Sequence, residues 1–297
     1  MSQNVKAHLA LLMVALIYGA NYSIAKWAMA GDLIGPKGFV LLRIGSGMIF
    51  FTLLHQLFVR EKVDRKDHGL LLLCGLTGST INQLFFFWGL SYTTPINASL
   101  IMTLNPILVL IVSSLLIGER ITLRKIIGII VGASGAIFLL LYQQSYSYNA
   151  EGLLGDIMIL INATSYGIYL VLVKKLMVKY QPFTVIRWVF TYGFIFILPI
   201  GFSSFTEIAW AEFSTYTWWA VGYVLLFTTF MTYLFNAFAL SVVNASVVSI
   251  YIYLQPLIAA LIAISFGQET PDWVKIIPAI LIFSGVYIVS SKNRTTN

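Results

Sequence analysis

The chain has 297 residues, 59% of them hydrophobic and only 10% charged, with 18 Lys and Arg against 11 Asp and Glu for a net charge of +7. A soluble protein carries about a quarter charged residues, so this content and a mean hydropathy of +0.88 exclude a soluble globular domain. A single cysteine, Cys74, excludes a disulfide framework and a cysteine-built metal site.

A membrane helix needs about 20 mostly apolar residues. That rule predicts ten spans, at 8–30, 37–59, 69–90, 94–117, 124–142, 153–174, 183–203, 216–240, 242–267 and 273–291. The first run could pass for a signal-peptide core but is read as a retained span, because it has a counterpart in span 6. Basic residues collect on one side of this arrangement: Lys6, then Arg60, Lys62, Arg65 and Lys66, then Arg120, Arg124 and Lys125, then Lys174, Lys175 and Lys179, then Lys292 and Arg294. The other side holds Lys37 and Lys275. Cytoplasmic loops hold the excess of Lys and Arg, so both termini are expected in the cytoplasm. The positive charge is then a matter of topology and anionic lipid, and nucleic acid is not an expected partner.

In span 1 the stretch YGANYSIAK (18–26) places polar groups where a membrane helix favours Leu. At about 100° per residue, Tyr18, Asn21 and Tyr22 share one face. Polar groups in hydrocarbon face the bundle or a wet cavity; the alternative is plain helix–helix packing with Gly19 at the seam. Lys26, near the helix end, is expected to snorkel. Arg43, just inside span 2, reaches headgroups or loop carbonyls, or attracts a substrate carboxylate, and Arg187 in span 7 poses the same choice. Span 3 offers Asn82 and Gln83. Span 4 offers Thr103 and Asn105 before Pro106, which frees a carbonyl near Met102. Glu119 sits in a short turn and is read as structural.

Span 6 repeats the pattern of span 1 with Tyr166 and Tyr169 on one face, Asn162 a turn earlier, and Lys174 near the end. Asp156, near the start of that span, is the acidic residue closest to the membrane interior, so a relay of buried carboxylates finds little support. Trp210, Trp218, Trp219 and Trp273 near span ends read as an interfacial belt. Span 8 offers Tyr233 and Asn236. Span 9 offers Tyr251, Tyr253 and Gln255 before Pro256. These residues are expected to line a central cavity, with Pro106 and Pro256 as kinks beside it.

The chain repeats itself. Shifted by 150, Asn105-Pro106 meets Gln255-Pro256, Glu119 meets Glu269, Lys125-Ile126-Ile127 meets Lys275-Ile276-Ile277, and Ser134-Gly135 meets Ser284-Gly285. Tyr18-Gly19 and Lys26 meet Tyr166-Gly167 and Lys174 at the same internal spacing. The expected fold is therefore an all-α integral membrane bundle of two five-helix repeats, 1–145 and 146–297. Five is odd, so the second half enters from the opposite face, the arrangement of secondary transporters with a site near the midplane. The aromatic-Gly…Lys signature in spans 1 and 6 and the repeated Pro…Gly-Glu-Arg-Ile-Thr-Leu-Arg-Lys-Ile-Ile-Gly block resemble the EamA-type branch of the drug/metabolite transporter superfamily. The second copy departs from the block at Gln268 and Pro278, where Gly118 and Gly128 stand in the first. The resemblance covers essentially the whole chain and implies export of small metabolites, often amino acids or toxic analogues, by alternating access.

Gly132-Ala-Ser134-Gly135 spells a membrane-protease motif, but a serine nucleophile needs a base in reach and His8, His55 and His68 all lie upstream. No enzyme, cofactor or metal is expected. The expectation is a multi-pass carrier of the cytoplasmic (inner) membrane with a small-molecule substrate and the lipid bilayer as partners. A homo-oligomer is neither required nor excluded. The alternative is a channel or solute-binding scaffold that does not alternate.

Overall fold

The computed structural model describes residues 2–29, 31, 33–93, 98, 101–142, 150–265 and 276–290. Gln268, Glu269, Trp273, Lys275, Lys292, Arg294 and the boundary at 145/146 lie outside the described residues. Within them the chain is helical throughout: α1 Gln3–Ala28, α2 Pro36–Leu54, α3 Arg65–Tyr92, α4 Asn105–Ile117, α5 Leu123–Tyr142, α6 Ala150–Met177, α7 Pro182–Thr206, α8 Thr215–Val242, a broken α9 and α10 Ile276–Ser290. Helix α9 consists of Ala245–Ile250, a tight turn at Tyr251–Tyr253 and Leu254–Ser265. These elements follow the ten predicted spans.

Six of the helices are long and apolar enough to cross a membrane, so the chain is a multi-pass integral membrane protein. The outward faces carry large apolar side chains in the open, among them Leu115 at 78% and Trp219 at 77% exposure. In water such a belt would be untenable; in lipid it is the required surface. Trp210 and Trp218 stack with centroids 6.0 Å apart, and Phe213 packs on both.

Helix packing follows a rule. The most extensive interfaces are α2 with α7 and α5 with α10; α3 packs on α6 as α1 packs on α8, and α4 packs on α6 as α1 packs on α9. Glycines set how closely these helices approach. A Cβ on Gly285 of α10 would lie 2.6 Å from the Cα of Gly132 in α5. One on Gly19 of α1 would lie 2.9 Å from Ile258 of α9. The Gly-x-Ser-Gly stretch is thus a packing surface, and among the described residues Ser134 Oγ bonds the Val131 carbonyl of its own helix, at 2.9 Å.

A π turn ends α2 at His55–Val59, and widened π turns interrupt α3 and α8 at corresponding places, Leu76–Ile81 and Val224–Met231. Such turns shift the backbone register and free carbonyls. In a membrane each freed group needs a protein partner. Ser165 Oγ of α6 donates to Thr77 O at 2.6 Å, and the hydroxyls of Thr228 and Thr229 both donate to Val224 O, at 2.6 and 2.9 Å.

The lysines expected to snorkel do something else. Lys26 Nζ donates to Thr93 O at 2.8 Å, at the C-terminus of α3; Lys174 Nζ donates to Val243 O at 2.7 Å and to Leu240 O, at the C-terminus of α8. Carbonyls at a helix end lack intrahelical partners and favour a cation, so capping a facing helix outcompetes reaching for headgroups. At the loops on the basic side, Lys179 pairs with Asp64 at 2.7 Å and with Asp67. The bond to Lys179 holds the Asp64 carboxyl below the usual carboxylate range. Glu119 is bound by Lys125 at 2.6 Å and Ser246 Oγ at 3.1 Å, joining the α4–α5 turn to α9.

The α5–α10 contact makes a direct prediction. Gly285→Leu will cost about 1–3 kcal/mol through overpacking and lower the unfolding temperature in detergent. Gly222→Ala, inside a helix with nothing within 4 Å of the added carbon, will not lower it and will raise it slightly.

Candidate functional site: a polar cavity at the junction of the helices

A cavity of about 70 Å³ lies at the junction of α1, α2, α3, α6, α8 and α9. A single water needs about 10–15 Å³ by this measure, so the space suits a small solute. Helix α1 contributes Tyr18, Asn21 and Tyr22, one face of the YGANYSIAK stretch; α3 contributes Asn82, Gln83 and Phe86; α6 contributes Asn162 and Tyr166. From α8 come Tyr233 and Asn236, and from α9 Tyr251, Ile252 and Gln255. Arg43 enters from α2 and Met102 from the turn before α4.

Side chains bond across the cavity. Tyr22 Oη donates to Gln255 Oε1 at 3.0 Å, and Asn236 Nδ2 to Tyr166 Oη at 3.3 Å. Tyr18 Oη and Thr232 Oγ1 are hydrogen-bonded at 3.2 Å. Tyr233 Oη donates to the freed carbonyl of Gly78 at 2.6 Å and accepts from Gln83 Nε2 at 3.1 Å. Asn162 Nδ2 donates to Asn82 O at 2.7 Å. These bonds fix the orientation of both amides, because each nitrogen faces an acceptor. Gln83 Oε1 and Asn162 Oδ1 are left buried without a partner among the described residues. Phe86 packs on the Tyr22 ring at 5.7 Å. On α1, His8 Nδ1 shares a 2.8 Å hydrogen bond with Tyr251 Oη.

Of the residues expected to line a cavity, Thr103, Asn105, Tyr169 and Tyr253 do not. Asn105 is fully buried and donates from Nδ2 to Ala163 O at 2.7 Å, tying α4 to α6. Tyr169 fills the space beside Gly78, one helical turn below Tyr166. Tyr253 turns away to lie over Gly132 in the α5–α9–α10 core. Thr103 is 2% exposed in the turn before α4 and is not on the cavity wall. Pro106 heads α4 and Pro256 follows the tight turn of α9. The residues four before them, Met102 and Ile252, lie on the wall. Asp156 accepts from Thr93 Oγ1 at 2.5 Å, away from the cavity. Arg187 bonds His55 Nδ1 at 3.0 Å near the end of α2.

Arg43 is the residue that sequence reasoning left undecided and the structure puts on the wall. It is 4% exposed, seven residues into α2, about 10 Å along the helix axis. A charge that deep in an apolar run was itself the available signal.

The arrangement defines a class: a multi-pass helical membrane protein with a cavity shared between its helices and walled by apolar surface and a set of tyrosines and amides. The EamA-like transporter family model matches residues 5–141 and 153–291, and the chain belongs to that family. It is thus a small-molecule transporter and not an enzyme. An uncharacterized transporter of Archaeoglobus fulgidus is 25% identical over 98% of this chain and 99% of its own. A probable terminal-alkyne amino-acid exporter of Streptantibioticus cattleyicolor is 21% identical over 97% of this chain and 94% of its own. A crystal structure 16% identical aligns with a TM-score of 0.75 over 95% of this chain and 97% of its own, which supports the fold.

Tyr233→Phe will strand the Gly78 carbonyl and the Gln83 amide, at a cost of about 1–3 kcal/mol. Thermal unfolding of the purified protein will show the loss, and Tyr287→Phe, 73% exposed on α10, will not.

Proposed function

We propose that this transporter is an alternating-access exporter of small organic metabolites, with amino acids and their analogues as the substrate class. In this reading it sits in the cytoplasmic membrane with both termini in the cytoplasm, built as inverted halves 1–145 and 146–297. Several features support the inverted repeat. The helix pairings are preserved when five is added to each helix number, α3–α6 becoming α8–α1 (α10 is followed by α1) and α4–α6 becoming α9–α1. The π turns recur, and Lys26 on Thr93 O recurs as Lys174 on Val243 O. Inverted repeats supply two equivalent conformations, one open to each face.

The observation that carries the reading is the cavity itself, at the junction of both halves and lined by tyrosines and amides from each. Its walls are short of charge, which favours small zwitterions over polyanions. The similarity to an amino-acid exporter points the same way. Tyr22 and Gln255, bonded across the halves, are assigned to solute binding, and Pro106 and Pro256 to the bends that let α4 and α9 move.

Proteoliposomes loaded with unlabelled phenylalanine or leucine will accumulate the labelled amino acid in saturable counterflow, and Tyr22→Ala will cut the rate at least about tenfold. Flux without counterflow would identify a channel. Absence of counterflow for every amino acid tested would sink the substrate class.

A further inference from the structure

Arg43 is a guanidinium inside a membrane bundle, and it has no acidic partner among the described residues. Its hydrogen bonds run from Nε to Thr229 Oγ1 at 2.9 Å and from Nη2 to Thr228 O at 3.4 Å and Thr228 Oγ1 at 3.5 Å. All three acceptors belong to the π turn of α8. The face of Phe87 lies 4.6 Å from the guanidinium carbon, a cation–π contact. Nothing in this set neutralises the charge. Arginine stays protonated in proteins, and a buried cation is costly unless an anion joins it. Neither Nε nor Nη2 is free, but Nη1 carries no hydrogen bond among the described residues, and the side chain lines the cavity.

The repeat says that this charge is not part of the scaffold. Advanced by 150, Arg43 falls on Gly193 and Ser79 falls on Thr229. Arg43 bonds Thr229, and a Cβ on Gly193 would lie 2.5 Å from Ser79 Oγ, so the equivalent place in the other half is held by a glycine. The corresponding helix therefore packs without a charge at this place. A cation present in one half only makes the cavity polar in one direction, so a solute with an anionic end is held in one orientation.

We infer that Arg43 is the receptor for a carboxylate on the transported solute. This rests on the cavity being the carrier's substrate site. The threonines of the π turn hold the guanidinium from one side while its free edge meets the carboxylate, the charge-assisted geometry for which Arg is suited. Gln83 Oε1 and Asn162 Oδ1, buried and unpaired, supply acceptors for a donor such as the ammonium of an α-amino acid.

The test is a binding series on the purified full-length protein, needing no transport. The probes are L-phenylalanine and L-leucine, their deaminated acids 3-phenylpropionate and 4-methylpentanoate, and the carboxylate-free L-phenylalaninamide, L-leucinamide and phenethylamine. Thermal stabilisation at millimolar ligand will rank the carboxylate-bearing probes at least about tenfold tighter than their amide and amine counterparts. Arg43→Gln will erase that difference, and Arg43→Lys will restore part of it. Equal binding of amides and acids by the unaltered protein, no binding by any probe, or an undiminished preference in Arg43→Gln would each overturn the assignment. The first comparison stands even where Arg43→Gln does not fold. Counterflow of solutes lacking a carboxylate would defeat the Arg43 assignment alone and leave the carrier reading intact. Absence of counterflow beside intact carboxylate preference would do the reverse.

Discussion

Hydrocarbon offers a freed backbone carbonyl no water, and the rest of this structure follows from that constraint. A membrane helix that runs straight satisfies itself. Helices α3 and α8 are interrupted by π turns and α9 by a tight turn, so their backbone must be completed by side chains from elsewhere. Ser165 answers Thr77, Tyr233 answers Gly78, Asn162 answers Asn82, and Lys26 and Lys174 answer the ends of α3 and α8. Each of these bonds joins different helices. The polar residues of the bundle are therefore both the repair of broken helices and the glue between them.

The cavity is the space these breaks open. A π turn widens the helix and turns its hydroxyls sideways; in α8 this sets Thr228 and Thr229 against Arg43. In α3 it presents the Gly78 carbonyl to Tyr233, whose position is that of Gln83 advanced by 150. Gln83 and Tyr233 bond to each other, so equivalent places in the two halves meet. Glycines at the seams let the helices around that space approach closely. What remains inside is an apolar wall set with tyrosines and amides and a single charge, Arg43.

Much of this was legible before the fold. The spans follow from apolar run length, and the face shared by Tyr18, Asn21 and Tyr22 follows from helical periodicity, which places all three on the cavity wall. The same periodicity misplaces Tyr169, and nearness to Pro256 misplaces Tyr253. One turn along a helix moves Tyr169 beyond the end of the cavity, and the tight turn at Tyr251–Tyr253 sends neighbouring side chains in different directions. Sequence has no access to that turn's geometry. Lys26 and Lys174 were visible as a pair, but their acceptors are backbone carbonyls, which carry no sequence signature. Arg43 was visible as a charge, and its depth along α2 was countable; what it faces depends on a π turn in α8 that nothing in Val224–Met231 announces.

The two halves differ in a way that matters for mechanism. On the proposed inverted repeat, symmetry supplies two conformations of similar energy, since each contact broken on one face has an equivalent formed on the other. Symmetry by itself gives no selectivity, because a site equal from both sides prefers no orientation of its solute. On that repeat a single departure from the pattern, Arg43 against Gly193, is enough to add one. The charge sits where the scaffold tolerates it: Thr228 and Thr229 already bond Val224 O, so their remaining lone pairs can accept from Arg43 without leaving the helix unsatisfied. On the proposed reading the repeat provides the motion, and its local failure at Arg43 provides the recognition.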